Sequence, residues 1–189
     1  MCSSDLGLII TGVARYNSVG DIFLGNPVDH LVQYARHPVL IVKQKPMRPY
    51  KNIVVATDFS DCSLFALNTA AELFPDTNLH LLHAYHEPYE SWLKSEEVKI
   101  EVRSEEQALM DRFLAKRAIY DETFERLNAS IEKGELGAVL QDKIEQTKSD
   151  LIVLGAHGRS GFSAATSGSK AKAILGFVKQ VVLMVREPR

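Results

Sequence analysis

The stretch DLIVLGAHGRSGFSAATSGS, residues 150–169, joins a short apolar run to a loop that is rich in glycine and serine. The run LIVL is apolar throughout, which is typical of a strand buried on both faces of a parallel sheet. Downstream of the loop, four apolar residues recur at helical spacing: Ala171, Ile174, Leu175 and Val178. The segment therefore predicts a strand, a glycine loop and an amphipathic helix that begins near Ser169.

The loop has the spacing Gly155-x2-Gly158-x9-Gly168-Ser169. Glycine lets main-chain N–H groups approach an anion because no Cβ stands in the way. The start of the following helix adds free N–H groups and the positive end of the helix dipole, and phosphate fits both. The spacing is neither that of a Walker loop nor that of the dinucleotide-binding fingerprint. From the glycines alone, a flexible strand–helix connection without a ligand is the alternative interpretation.

Strands and helices alternate through the rest of the chain. Strands are predicted at 52–58, 78–86, 126–132, 150–155 and 181–185, and helices at about 61–74, 104–118, 135–148 and from 169 onwards. The polar, acidic residues 87–103 are interpreted as a loop. This order predicts an α/β fold with an open parallel sheet and helices on both faces. In such sheets ligands bind beyond the carboxyl ends of the strands, where the strand order reverses.

Two motifs make a family resemblance specific: ATDFS after the first of these strands, and DLIVLGAHGRSGF…GS…VVLMV near the end. The chain resembles the universal stress protein family, whose phosphate motif G-x2-G-x9-G-[ST] it matches residue for residue. The resemblance spans about residues 50–187 and is poorest at 87–148. It implies a five-stranded parallel sheet in the order 3-2-1-4-5 and ATP, with or without Mg²⁺, as the ligand.

The resemblance also implies roles for single residues near the first two strands. Asp58 matches the family's acid that meets the adenine or ribose edge, and Ala56 and Thr57 line the same strand end. For Asp58 the alternative is a helix N-cap or a turn acid. Ala84 matches a small residue that packs on adenine, with a plain core position as the alternative.

At the glycine loop the resemblance assigns a further set of cofactor-binding positions. These are Leu154 and Gly155 on the base and ribose side, Gly158, Gly168 and Ser169 at the phosphates, and His157, Arg159 and Lys170 as side chains within reach of phosphate. Two departures favour an altered site, because Thr166 and Ser167 stand where the family has bulky apolar residues and Lys170 where it has an apolar one.

The chain also contains a partial copy of its own end. Residues 12–43 align with 155–186 without a gap, at an offset of 143, so that Gly12 meets Gly155 and Gly25 meets Gly168. We interpret residues 7–46 as the C-terminal remnant of a first domain and 50–189 as a complete second one, in an N-terminally truncated tandem protein. Residues 1–6 are interpreted as non-native, since their codons fit the end of a common sequencing adaptor. A natural short N-terminus is the alternative.

The first copy is predicted to keep the fold but not the ligand. Arg15 replaces the second glycine, whereas Asn26 and Pro27 still form a good helix start. About 40 residues are too few to fold alone, so the remnant must dock. We predict that 38–43 pairs antiparallel with 181–186, as last strands do between domains in this family. That pairing leaves the strand at 8–11 with an open edge, which invites association.

Composition limits the remaining functions. Hydrophobic residues make up 46% of the chain and charged residues 24%, and the net charge of −2 gives no overall attraction for nucleic acid. Cys2 and Cys62 are isolated, no signal peptide is readable and no apolar run reaches about 18 residues, so we expect a cytoplasmic protein without membrane contact. No catalytic or metal-binding set is predicted. The expected function is nucleotide-dependent conformation or association with at most slow ATP hydrolysis; the alternative is an interaction module without nucleotide.

Overall fold

The computed structural model describes residues 7–12, 26–86, 96–116, 121–156 and 169–186. Its strands are β1 (Ile9–Gly12), β2 (Val39–Val42), β3 (Asn52–Ala56), β4 (Asn78–Tyr85), β5 (Leu127–Lys133), β6 (Leu151–Gly155) and β7 (Val181–Val185). Its helices are α1 (Asn26–Tyr34), α2 (Asp61–Leu73), α3 (Glu96–Leu114), α4 (Asp121–Phe124), α5 (Leu136–Thr147) and α6 (Ser169–Phe177).

All seven of these strands form one sheet, in the order β1-β2-β7-β6-β3-β4-β5. Neighbours run parallel everywhere except between β2 and β7, which are antiparallel. Within residues 50–189, β3, β4, β5, β6 and β7 are the first to the fifth strand, and they lie in the order 3-2-1-4-5 that the family resemblance implies. The α/β class is confirmed. The difference from a five-stranded domain is that β1 and β2 extend the same sheet beyond β7.

Two apolar layers cover the two faces of the sheet. Alternate residues of the central strands point to opposite faces, as the period of two requires. One layer packs α2 and α3 on the sheet through residues such as Leu67, Met110 and Phe113. The other packs α1, α5 and α6 through Val28, Leu140, Ile144, Ile174 and Leu175. The strand ends are therefore held between helices on both sides.

The long helix α3 corrects the interpretation of residues 87–103 as a loop or irregular segment for residues 96–103, while residues 87–95 lie outside the described residues. It begins at Glu96 rather than near Ser104 and ends at Leu114 rather than Ala118. Its first two turns, EEVKIEVR, are charged, and Ile100 is 68% exposed. Glutamate, lysine and arginine are good helix formers, so a solvent-facing helix needs no apolar stripe in this stretch. The polar composition of residues 96–103 is therefore that of a solvent-facing helix.

The β2–β7 pairing has local two-fold symmetry. Leu40 pairs with Leu183, which is its own equivalent at the offset of 143, while Val39 pairs with Met184 and Ile41 with Val182. This antiparallel pairing agrees with the one predicted between 38–43 and 181–186 within the chain. The symmetry axis therefore passes between the two leucines, which pack in the same apolar layer.

Equivalent cations reinforce this pairing from both sides. The Lys43 ammonium donates to the carbonyls of Leu175 and Val178 (2.8 Å for Val178) at the end of α6. Arg186, the equivalent of Lys43, donates from Nη2 to the Val32 carbonyl near the end of α1 (3.2 Å). Cations favour helix C-termini because free carbonyls and the negative dipole end gather there. Each copy thus caps the helix of the other.

None of the helices in the ranges given above combines the length and the apolar composition that a bilayer span requires.

Candidate functional site

The strand order reverses between β3 and β6. The chain leaves β3 for β4 on one side, whereas it leaves β6 for β7 on the other, and β3 and β6 are parallel neighbours with Val55 opposite Val153. A crevice at such a switch point is where open α/β sheets bind ligands. Several predicted positions meet at this edge: Ala56, Thr57 and Asp58 after β3, and Leu154 and Gly155 at the end of β6.

Ala84 lies near the same edge, close to the end of β4. It is half-buried and packs against the same apolar layer as Ala56, on the sheet face that carries α6.

Thr57 lies beneath the turn that follows β3. Its N–H donates to the Leu82 carbonyl (2.9 Å), and its hydroxyl bonds the Ser63 hydroxyl (2.9 Å) and accepts from the Phe59 N–H (3.0 Å). Only 8% of the residue is exposed. The structure therefore gives the Thr57 side chain a supporting place rather than a lining one.

Asp58 has the geometry of a turn acid. Its Oδ1 accepts from the Ser60 N–H at 3.1 Å, and Asp58 is half-buried. The N-cap of α2 is Ser60, whose hydroxyl accepts from the Ser63 N–H (3.1 Å). Asp58 therefore forms the hydrogen bond of a turn acid, which is the alternative interpretation. It also lies at the switch point, where a nucleotide-binding acid is expected.

Gly155 is explained by packing. A Cβ built on it would lie 3.3 Å from Cys62 Sγ and 3.4 Å from the Cys62 carbonyl carbon and oxygen. The first turn of α2 therefore lies so close to β6 that a side chain at this position requires Cys62 to shift by a few tenths of an ångström. Cys62 is buried and its Sγ lies 3.8 Å from the Val185 carbonyl. The first glycine of the motif brings α2 close to the strand end.

The start of α6 supplies the next part of the site. The helix backbone begins at Ser169 and includes Lys170, as predicted. Because α6 follows β6, its N-terminus lies toward the carboxyl edge of the sheet. The predicted phosphate residues His157, Gly158, Arg159 and Gly168 lie outside the described residues, as do the side chains of Ser169 and Lys170.

One histidine near the site was missed as a functional residue. His83 on β4 contacts the Thr57 carbonyl through Nδ1 at 2.8 Å and Glu106 Oε2 through Nε2 at 3.2 Å. The sequence predicts no metal role for it, because on a strand His83 faces away from His80 and His86. The available signal was its position on an otherwise apolar strand, because a half-buried polar ring needs hydrogen-bond partners.

Comparisons with known proteins place this site in context. The model of the Universal stress protein family matches residues 49–186. Among curated proteins, universal stress proteins of Mycobacterium tuberculosis and Mycobacterium bovis are 24% identical over 198 residues, which is 99% of this chain and 61% of theirs. The chain thus spans about 61% of the length of these relatives.

Solved structures share the fold. A putative universal stress protein from Pseudomonas aeruginosa superposes with a TM-score of 0.66 at 22% identity, covering 95% of this chain and 63% of that one. A universal stress protein from Archaeoglobus fulgidus gives 0.59 at 20% identity, covering 96% and 61%. One from Lactobacillus plantarum gives 0.54 at 24% identity, covering 74% of this chain and 99% of that one.

Proposed function

Because the chain belongs to the universal stress protein family, a family of stress-response proteins, we propose that it binds ATP at the carboxyl edge between β3 and β6. Nucleotide occupancy then changes its conformation or its association. The phosphates lie on the main chain of the glycine loop and at the start of α6, and the base and ribose lie toward Asp58, Ala84 and Leu154. Mg²⁺ accompanies the triphosphate as its counter-ion.

The observation that carries the proposal is the convergence at the switch point. The Asp58 turn follows β3, and Gly155 is the last residue of the neighbouring strand β6. Helix α6 begins at the last residue of the motif G-x2-G-x9-G-S. A helix N-terminus and free N–H groups favour phosphate, and a carboxylate at the neighbouring strand end suits sugar hydroxyls. We assign no catalytic residue, and the proposed role is binding.

We also propose the cytoplasm as the location. Cys62 is a free, buried thiol, as expected in a reducing compartment.

An interaction module without nucleotide is the second candidate. The observation that favours it is the reciprocal β2–β7 pairing with its two cationic caps, which is an association device that needs no ligand. Its proposed form is self-association through 38–43 and 181–186, which this chain satisfies internally, with the outer edge of β1 as a further contact. The polar Thr166 and Ser167 and the charged Lys170 favour the same candidate.

A thermal unfolding experiment on the full chain distinguishes the two candidates. ATP with Mg²⁺ at about 100 times its Kd stabilises a one-site protein by about 2.7 kcal/mol, which raises the Tm by several degrees. Gly168→Val places a side chain in the phosphate loop and should abolish the rise. Gly25→Val, at the equivalent position of the first copy, is the matched control and should leave the rise unchanged.

Calorimetric titration should then give one ATP per chain, since Arg15 replaces the second motif glycine in the first copy. The absence of a Tm rise in the unsubstituted chain at millimolar ATP would contradict nucleotide binding and favour the interaction module. A rise that survives Gly168→Val would contradict the proposed phosphate loop.

A further inference from the structure

The turn between β3 and α2 is held by a histidine from the neighbouring strand. The Thr57 carbonyl can only accept a hydrogen bond, so His83 Nδ1 carries the hydrogen and donates to it at 2.8 Å. Thr57 immediately precedes Asp58. This bond therefore fixes the plane of the Thr57–Asp58 peptide, which leads directly to the Cα atom of Asp58.

The same ring supports the residue on the other side of Asp58. Phe59 has a left-handed backbone with φ of 63°, which is uncommon for a residue with a side chain. Its ring stacks on the His83 imidazole with centroids 4.1 Å apart, and its N–H donates to the Thr57 hydroxyl at 3.0 Å. A conformation of this kind persists only where its surroundings impose it. His83 thus contacts both neighbours of Asp58, through the hydrogen bond to Thr57 and the ring stacking on Phe59.

The other face of this arrangement is helix α3. His83 Nε2 lies 3.2 Å from Glu106 Oε2, a buried oxygen without a partner of hydrogen-bond geometry among the described residues, and the two form an ion pair only when the imidazole is protonated. Two further contacts join α3, or the residues just after it, to the turn and the helix that follows. The Phe113 ring lies 5.7 Å from the Phe59 ring, and the Lys116 ammonium bonds Asp61 at 2.6 Å.

We propose that His83 is a positioning residue of the nucleotide site: it fixes the Asp58 turn and, through Glu106, makes the placement of Asp58 depend on the seating of α3. The inference rests on the proposed ATP site, which it deepens by naming a regulatory contact. His83 itself does not touch the nucleotide. A ligand or partner that shifts α3 changes nucleotide affinity by the same factor as the nucleotide changes its own, as linkage requires.

Two substitutions separate the roles of the two ring nitrogens. His83→Asn places an amide nitrogen near the Nδ1 position and keeps the bond to Thr57, whereas His83→Gln reaches toward Glu106 and loses it. We expect His83→Gln to weaken ATP binding tenfold or more in calorimetric titration, and His83→Asn to stay within about threefold. Glu106→Leu should weaken binding by an intermediate factor, with Glu106→Gln as its matched control.

A double-mutant cycle gives a readout that a merely structural role would not move. If His83 acts through Asp58, His83→Gln should have no further effect on ATP affinity in a chain that already carries Asp58→Asn. Equal weakening of ATP binding by His83→Gln with and without Asp58 would overturn the inference. So would equal weakening by His83→Asn and His83→Gln.

Amide hydrogen exchange without nucleotide separates a failure of this inference from a failure of the proposed function. The N–H groups of Phe59 and Ser60 are bonded within the turn, so His83→Gln should raise their exchange severalfold while His83→Asn should not. Unchanged exchange in His83→Gln would overturn the positioning role. Raised exchange in a chain that fails to bind ATP would overturn the proposed function, and with it the nucleotide part of this inference.

Discussion

The strand–helix–strand units β1-α1-β2 and β6-α6-β7 follow one sequence pattern but occupy different places in the sheet. Both have a parallel strand pair with a helix on the same face, and their last strands pair with each other about a local two-fold axis. Their first strands differ. β6 lies between β7 and β3, whereas β1 ends the sheet beside β2. The same pattern thus gives the same local fold, but only one copy has a switch point beside it.

The first glycine of each copy shows what that difference does. A Cβ on Gly12 would meet no atom of the described residues within 4 Å, whereas a Cβ on Gly155 would meet Cys62 Sγ at 3.3 Å. Gly155 is constrained because α2, which follows β3, packs against it. The candidate site is therefore a property of the neighbouring β3-α2 unit as much as of the glycine motif.

The largest expected effect comes from the two leucines on the symmetry axis. Leu183→Ala should lower the free energy of unfolding by about 3–4 kcal/mol, since this residue is 0% exposed and its truncation leaves a cavity. Leu40→Ala should cost about 2 kcal/mol, because Leu40 is 7% exposed and its surroundings relax more easily. Urea unfolding followed by circular dichroism measures both. A larger loss of stability for Leu40→Ala than for Leu183→Ala would contradict this order and show that β2 is packed more tightly than β7.

The next effect tests the reciprocal caps. Lys43→Met removes two hydrogen bonds to carbonyls at the end of α6 and should lower the free energy of unfolding by about 1–2 kcal/mol. Arg186→Met removes the 3.2 Å bond to Val32 and should cost about 1 kcal/mol. Lys45→Met is the matched control, because Lys45 is exposed and such changes usually stay within about 0.5 kcal/mol. Equal effects of Lys43→Met and Lys45→Met in urea unfolding would contradict the caps.

Opposite signs are expected for alanine at the two glycines. Gly155→Ala requires Cys62 to shift by a few tenths of an ångström, and overpacking of this kind should cost about 1 kcal/mol. Gly12→Ala meets open space and should stabilise the chain by a few tenths of a kcal/mol, because it restricts the unfolded chain. Chemical denaturation of the two variants side by side gives the comparison. A loss at both positions would mean that β1 is also held closely.

Sequence periodicity predicted most of the elements because their signals are local. The apolar runs of β3, β6 and β7 coincide with the structure to within one or two residues. The order of the strands came from a family resemblance and not from any local pattern. Helix α3 was placed too late because its first turns face solvent, where no apolar stripe is needed.

The candidate site was predictable only in part. The family resemblance singled out Asp58 and the glycine spacing singled out Gly155, and both lie at strand ends beside the switch point. The buried hydroxyl of Thr57 and the bond from His83 depend on which side chains meet across the sheet and α3. No spacing within one segment records such a meeting. The conflict at Gly155 has the same origin, since Cys62 lies 93 positions earlier in the chain.

The smallest expected effect separates the two caps by pH. Burial lowers the pKa of Lys43 to about 8 from 10.5, whereas a guanidinium such as that of Arg186 does not titrate in this range. Between pH 8 and 10.5 the unfolded chain keeps a proton on Lys43 that the native chain has lost. The free energy of unfolding therefore rises with pH across this window. Since the side chain is partly exposed, we expect a rise of somewhat under 1 kcal/mol.

Urea unfolding of the unsubstituted chain and of Lys43→Met from pH 7.5 to 10.5 measures this rise as the difference between their free energies of unfolding. A difference that falls with rising pH would mean that the Leu175 and Val178 carbonyls hold the proton more strongly than burial expels it, so that Lys43 acts as a permanent cation like its equivalent in the other copy.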